Sequence, residues 1–170
     1  LLIHESEREK FDRIDALDDL GRFAAVQGAG WPDTDILEAN GLQVVSAADY
    51  DGMFRMLAER RVDYFPRSVM EVGAELATFR DLPLTIASGL AFRYTAPIYF
   101  FVAPNNPELH RRLSAGLERA IADGSFHALF EAQPGYDEAQ QIMASIQRVF
   151  DLQNPLLSTA RSSDTSCGTR

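Results

Sequence analysis

Between Phe23 and Ser68 the chain reads FAAVQGAGWPDTDILEANGLQVVSAADYDGMFRMLAERRVDYFPRS, and this stretch constrains the fold more than any other. Short apolar runs at 23–26, 43–46 and 62–65 alternate with two amphipathic segments, which predicts strand, helix, strand, helix, strand. Pro32 suits a first helical position, where its missing N–H has no partner to lose, and Asn40-Gly41 stops that helix. Behind an Asp49 cap, Tyr50, Met53, Phe54 and Leu57 fall at i, i+3, i+4 and i+7, a stripe that belongs to a core. Strands joined by helices build a mostly parallel sheet covered on both faces, an α/β fold. In an open α/β sheet, ligands gather at the carboxyl ends of the strands. The turn at Gln27-Gly28-Ala29-Gly30-Trp31 and the turn at Pro66-Arg67-Ser68 are therefore the places to look for function.

The flanks read less sharply. Leu1-Leu2-Ile3 resembles the tail of a strand, and the chain is expected to be a piece of a longer protein. Residues 4–14 read as a charged connector, and Asp15 to Asp18 as a short helix start. Ser68-Val69-Met70-Glu71 matches a capping box, which predicts a helix from Ser68 to about Thr78. Its Glu71 and Glu75 share a face; capping explains the first and solvation the second, ahead of paired acid–base catalysis. Leu84–Ala87, Leu90–Tyr94 and Ile98–Val102 read as strands. Asn106-Pro107 starts a helix with Leu109, Leu113, Leu117, Ala120 and Ile121 inward, which Asp123-Gly124 ends. A short helix carries Phe126, Leu129 and Phe130. A last one spans about Asp137 to Phe150.

Composition removes several function classes. The net charge is −9 and the longest basic runs are Arg60-Arg61 and Arg111-Arg112, so nucleic acid is not expected as a partner. No apolar run approaches 18 residues, which argues against membrane insertion by a helix. Cys167 is the only cysteine and sits in a polar tail expected to be disordered, so neither an internal disulfide nor a cysteine metal site can form.

The site chemistry is sparse. His4, His110 and His127 have no metal-ligand spacing and read as surface residues. There is no G-x-S-x-G nucleophile elbow. Gly28-Ala29-Gly30 lies where a dinucleotide fingerprint would, but position 33 is Asp rather than Gly, and Asp33 and Asp35 oppose a pyrophosphate. Those acids either satisfy the helix end or receive a cationic ligand group. Trp31 either stacks on a ligand or packs. Arg67 either holds a carboxylate in bidentate fashion or is simply exposed. No catalytic residue, metal or cofactor is expected.

Taken in order, Val26-Gln27-Gly28, Gly41-Leu42-Gln43-Val44-Val45 and Arg60-Arg61-Val62-Asp63 resemble the second lobe of bacterial extracellular solute-binding proteins of family 3. These are the type 2 periplasmic binding proteins of amino-acid ABC transporters. Phe100-Phe101-Val102-Ala103, Asn106-Pro107-Glu108-Leu109 and Ala122-Asp123-Gly124-Ser125-Phe126 are similar to that family's return strand and closing helices. The resemblance covers roughly Asp15 to Phe130. It implies a first lobe upstream with a signal peptide, 1–14 as a connector, 15–95 as the second lobe, 96–150 as return strand and C-terminal helices, and 151–170 as tail. It also implies a periplasmic, monomeric, non-enzymatic protein that closes on a small polar molecule and meets a membrane permease complex.

Two departures bear on the ligand. Family members usually carry Gly followed by Ser or Thr at the first turn, where this chain has Gly28-Ala29. They also carry an Asp a few residues past Val-Asp, where this chain has Ser68 beside Arg67. A standard amino acid is therefore less expected than a ligand with an acidic group facing Arg67. The expected contacts are Gln27, Gly28, Trp31, Arg67 and Ser68, with Arg67 as anion contact and Trp31 as stacking surface. A sensor module of a signalling protein, a member that has lost ligand binding, and an enzyme like cyclohexadienyl dehydratase are the alternatives.

Overall fold

Alternation along the central strands sorts the apolar side chains to two faces. The computed structural model describes residues 1–157; the tail from Ser158, with Cys167 and the expectations placed on it, lies outside the described residues. In β2 (Ala24–Gly28) every residue from Ala25 on is buried. Ala25 enters one core and Val26 the other. β1 (Leu2–His4) splits Ile3 from Leu2 in the same way, and β4 (Tyr64–Phe65) splits Tyr64 from Phe65. Strands apolar on both faces require cover on both faces. On one side, α2 (Pro32–Ala39) supplies Ile36 and Leu37, and α1 (Arg8–Asp12) supplies Phe11. On the other, α3 (Tyr50–Ala58) supplies Met53, Phe54 and Leu57, and α4 (Val72–Thr78) supplies Val72.

The main sheet has the order β3-β2-β4-β1-β5, with β3 at Gln43–Ala47 and β5 at Leu84–Ile86. β3 and β4 both run parallel to β2, with Val26 opposite Val45 and Ala25 opposite Tyr64. β1 is the reversed strand, antiparallel to β4 and β5, with Leu2 opposite both Phe65 and Ile86. A second, two-stranded parallel sheet joins β6 (Leu90–Arg93) to β7 (Arg148–Asp151). The α/β expectation holds: a mainly parallel central sheet is flanked by helices.

Several local expectations are corrected. Residues 4–14 hold the short helix α1, consistent with one helical turn there, and Phe11 and Ile14 are buried in the core. At the next helical turn (Leu17–Arg22) it is Asp19, not Asp18, that accepts from the backbone N–H of Asp15 and Ala16. α4 begins at Val72 rather than Ser68, and the Glu71 carboxylate turns to Arg67 instead of reaching back to cap. Ser68 Oγ takes only the Met70 N–H, at 3.2 Å. The final helix, α7 (Tyr136–Ser145), stops early. The N–H groups of Gln147 and Arg148 both donate to the Gly89 carbonyl, which lays Val149 and Phe150 into β7.

The largest correction concerns Ile98–Val102. This segment forms no strand; Ile98 is 99% exposed and Phe101 91%. The helices that follow, α5 (Pro107–Ala122) and α6 (Ser125–Glu131), pack against each other, and α6 touches α7. The α5 stripe of Leu109, Leu113, Leu117 and Ile121, expected to face inward, is open, as are Phe126, Leu129 and Phe130 on α6.

Candidate ligand-binding site

The β2 and β4 ends are tied together by one buried side chain. Gln27 is 1% exposed, and its Nε2 donates to the Pro66 carbonyl at 3.3 Å. A carbonyl can only accept, so this bond fixes which end of the amide is nitrogen. The other end, Oε1, is an acceptor with no hydrogen-bond partner among the described residues. At the next position the chain needs glycine: a Cβ on Gly28 would lie 2.3 Å from Trp31 Cε2. The indole folds back over the turn, whose backbone closes with Trp31 N–H donating to the Gly28 carbonyl at 3.0 Å.

Arg67, first after Pro66, runs into a cluster that already matches its charge. Its Nε donates to both Glu75 carboxylate oxygens, at 2.8 and 3.0 Å, and its Nη2 donates to Glu75 Oε1 at 2.5 Å. Nη2 also reaches Glu71 Oε2 at 2.8 Å. The guanidinium carbon lies 5.3, 5.6 and 5.1 Å from the ring centroids of Trp31, Tyr50 and Phe65, within cation–π range. Tyr50 donates its hydroxyl to Glu75 as well. Burial, then the Glu75 hydrogen bond, push the Tyr50 phenol up to about 12, so it stays a donor at neutral pH. Burial alone would lower the Arg67 pKa, but Glu75 and Glu71 outweigh it and hold the guanidinium above its ordinary value. Glu75 is thus a buried ion-pair partner, not the solvated acid that sequence reading made it.

A cavity of about 560 Å³ opens beside this cluster, at the carboxyl edge of the parallel strands. Gln27, Asp33, Arg67, Ser68, Glu71 and Tyr94 line it. Asp33 comes from the first turn of α2, and Tyr94, just past β6, donates its hydroxyl to Asp33 Oδ1. Burial raises the Tyr94 pKa, and the Asp33 bond raises it further. Arg93 also lines the cavity, but its Nε and Nη2 bind the two Asp151 oxygens at 2.6 and 2.8 Å. A second cavity of about 580 Å³ lies by Ser88 and Gln147. Its Arg148 is engaged by the backbone carbonyls of Asp12, Ile14 and Ser88, so that hollow reads as a structural junction.

Of the five expected contacts, the structure brings Gln27, Arg67 and Ser68 to one cavity. Gly28 and Trp31 are not in its lining; Trp31 packs against the core below Val26 and under the Arg67 guanidinium. Two carboxylates already occupy the Nε and Nη2 of Arg67, the expected anion contact. Asp33, the candidate cation receiver, lines the cavity as well. Tyr94 lies outside the sequence expectations, and its only sequence signal is its place at the end of an apolar strand.

No family model matches this chain, and no curated protein matches it. Two solved structures are similar in fold. One is an ancestral arginine-binding protein bound to arginine, with TM-score 0.53 and 18% identity, covering 76% of this chain and 57% of that one. The other is YckB from Bacillus subtilis, with TM-score 0.47 and 18% identity, covering 89% of this chain and 60% of that one. The chain therefore spans less than two thirds of the length of either structure. At this identity the likeness to the arginine-binding protein shows the fold alone, an α/β fold with helices flanking a mainly parallel sheet.

Proposed function

We propose that this chain is one wall of a non-enzymatic solute-binding protein that holds a small polar molecule at the carboxyl edge of its parallel strands. The observation that carries this is the cavity itself. It draws Gln27, Asp33, Arg67 and Tyr94 from four separate segments of the chain, and its volume lies within the usual range for small-ligand sites, about 300–1,000 Å³. The engaged state of the acids supports binding over catalysis: Asp33 accepts from Tyr94, and Glu71 and Glu75 hold Arg67. The open apolar surfaces of α5, α6 and residues 98–101 suit a second lobe packing on them, with closure as a hinge motion. The bound arginine of the ancestral neighbour supports a metabolite of that size. Delivery to a membrane permease outside the cytoplasm is the role this reading assigns.

The test is a thermal-shift and NMR screen of the protein against polar metabolites, repeated with Ser68→Trp to fill the cavity mouth. A saturable hit that the substitution abolishes supports the proposal. The absence of any hit, or a hit indifferent to Ser68→Trp, overturns it.

A further inference from the structure

We infer that the group recognised in this cavity is a cation rich in N–H donors, an ammonium, amidinium or guanidinium, rather than a carboxylate or phosphate. The inference rests on the cavity being a ligand site, as proposed above, and adds the sign of the ligand's charge. Two carboxylates line the cavity, those of Asp33 and Glu71, with one guanidinium, Arg67, and a third carboxylate, Glu75, stands behind that guanidinium as its buried partner. The balance is two negative charges. Arg93 does not offset it, because Asp151 pairs with it through two hydrogen bonds. An anion approaching Arg67 would also approach the two carboxylates bonded to the same guanidinium, and at those distances their repulsion exceeds the attraction of one charge.

A second observation, independent of the acids, points the same way. Gln27 lines the cavity, is 1% exposed, and carries an Oε1 with no partner among the described residues. Its Nε2 is committed to the Pro66 carbonyl, so the amide cannot turn over and offer a donor instead. A buried acceptor left unmatched is unfavourable, and a ligand N–H is what would satisfy it. Tyr94 completes the selection. Its hydroxyl proton is given to Asp33 Oδ1, which orients that carboxylate and leaves Oδ2 for a ligand donor. Asp33 Oδ2 and Gln27 Oε1 are thus both acceptors that a ligand N–H can meet.

The experiment titrates the isotope-labelled full chain with agmatine and putrescine as cationic probes, and with succinate and inorganic phosphate as anionic ones, at equal ionic strength. The readouts are the Gln27 side-chain amide and the Tyr94 backbone amide. The cationic probes are expected to shift both saturably, more weakly at high salt. Asp33→Asn and Gln27→Leu should each weaken agmatine by about tenfold or more. Glu71→Gln, at an exposed side chain, checks the charge effect without disturbing the core, and should also weaken agmatine. Succinate or phosphate moving the same resonances at lower concentration than agmatine overturns the cation assignment and leaves a solute-binding site standing. If no probe of either charge moves them, the cation assignment falls, and the metabolite screen alone decides the solute-binding reading.

Discussion

The Arg67–Glu75 pair makes the sharpest stability prediction. Both side chains are about nine-tenths covered, 11% and 9% exposed, and three N–H···O contacts of 2.5–3.0 Å join them. Breaking a buried pair by removing one partner costs about 3–5 kcal/mol, because the survivor keeps its charge without its match. Glu75→Ala should fall at the low end, about 3 kcal/mol, since Glu71 still holds Nη2. Arg67→Ala should fall at the high end, about 4–5 kcal/mol. It strands Glu75 with only the Tyr50 hydroxyl and removes the cation from the Trp31, Tyr50 and Phe65 rings. Arg67→Met with Glu75→Leu removes both charges and refills the volume, and should lie within about 2 kcal/mol of the parent. Urea unfolding of the four proteins, followed by far-UV circular dichroism, measures the three differences. If either alanine variant loses less than about 1 kcal/mol, or the double variant loses the sum of the singles, the pair is not the buried, charge-matched unit described here.

Other consequences are open to simpler measurements. Gly28→Ala forces the Trp31 ring to retreat by more than an ångström from a 2.3 Å overlap. It should cost about 1–3 kcal/mol and shift the emission of the chain's only tryptophan; unchanged emission would show the ring lies elsewhere. The phenols of Tyr50, Tyr64 and Tyr94 all have raised pKa values, with desolvation the largest cause. Above the ordinary phenol value of 10.0 the unfolded chain releases protons that the native state retains. The tyrosines' contribution to stability should therefore be constant below pH 10 and fall as pH rises toward 12, with a shallower fall in Tyr50→Phe; urea midpoints from pH 9 upward read it. Phe101→Ser, at a residue 91% exposed, should change unfolding free energy by less than about 0.5 kcal/mol, and a larger loss would mean the segment is packed.

The α/β core was legible because period-2 burial needs no long-range knowledge. Ala25 and Val26, or Tyr64 and Phe65, separate to opposite cores by strand geometry alone, and the Met53-Phe54-Leu57 stripe can only face one of them. Where the reading failed, an apolar pattern was consistent with two conformations. Ile142, Met143, Ile146, Val149 and Phe150 fit a helical period, yet Ile146 is extended at φ −74°, ψ 125°. The chain leaves the helix because the Gly89 carbonyl, 58 residues upstream of Gln147, collects two N–H groups there. Nothing local to residues 146–150 encodes that partner. Ile98–Val102 failed for the complementary reason: β-branched and aromatic residues favour a strand, but a strand exists only with a ladder. In this structure β6, which lies just before the segment, is paired to β7.

The site repeats this division between identity and partnership. Gln27, Arg67 and Ser68 line one cavity because the carboxyl ends of parallel strands are fixed by topology, and residues there line the edge. What Arg67 does there depended on where its helix begins. A start at Ser68 would have turned Glu71 back to cap the backbone and left Arg67 free. The start at Val72 instead places Glu75 in the first helical turn, on the side facing Arg67, and frees Glu71 to reach the same guanidinium. A shift of four residues in one helix start thus converts an anion receiver into a neutralised, aromatic-boxed structural cation. Asp33, a lining carboxylate with no guanidinium partner, is then the group that a ligand must answer.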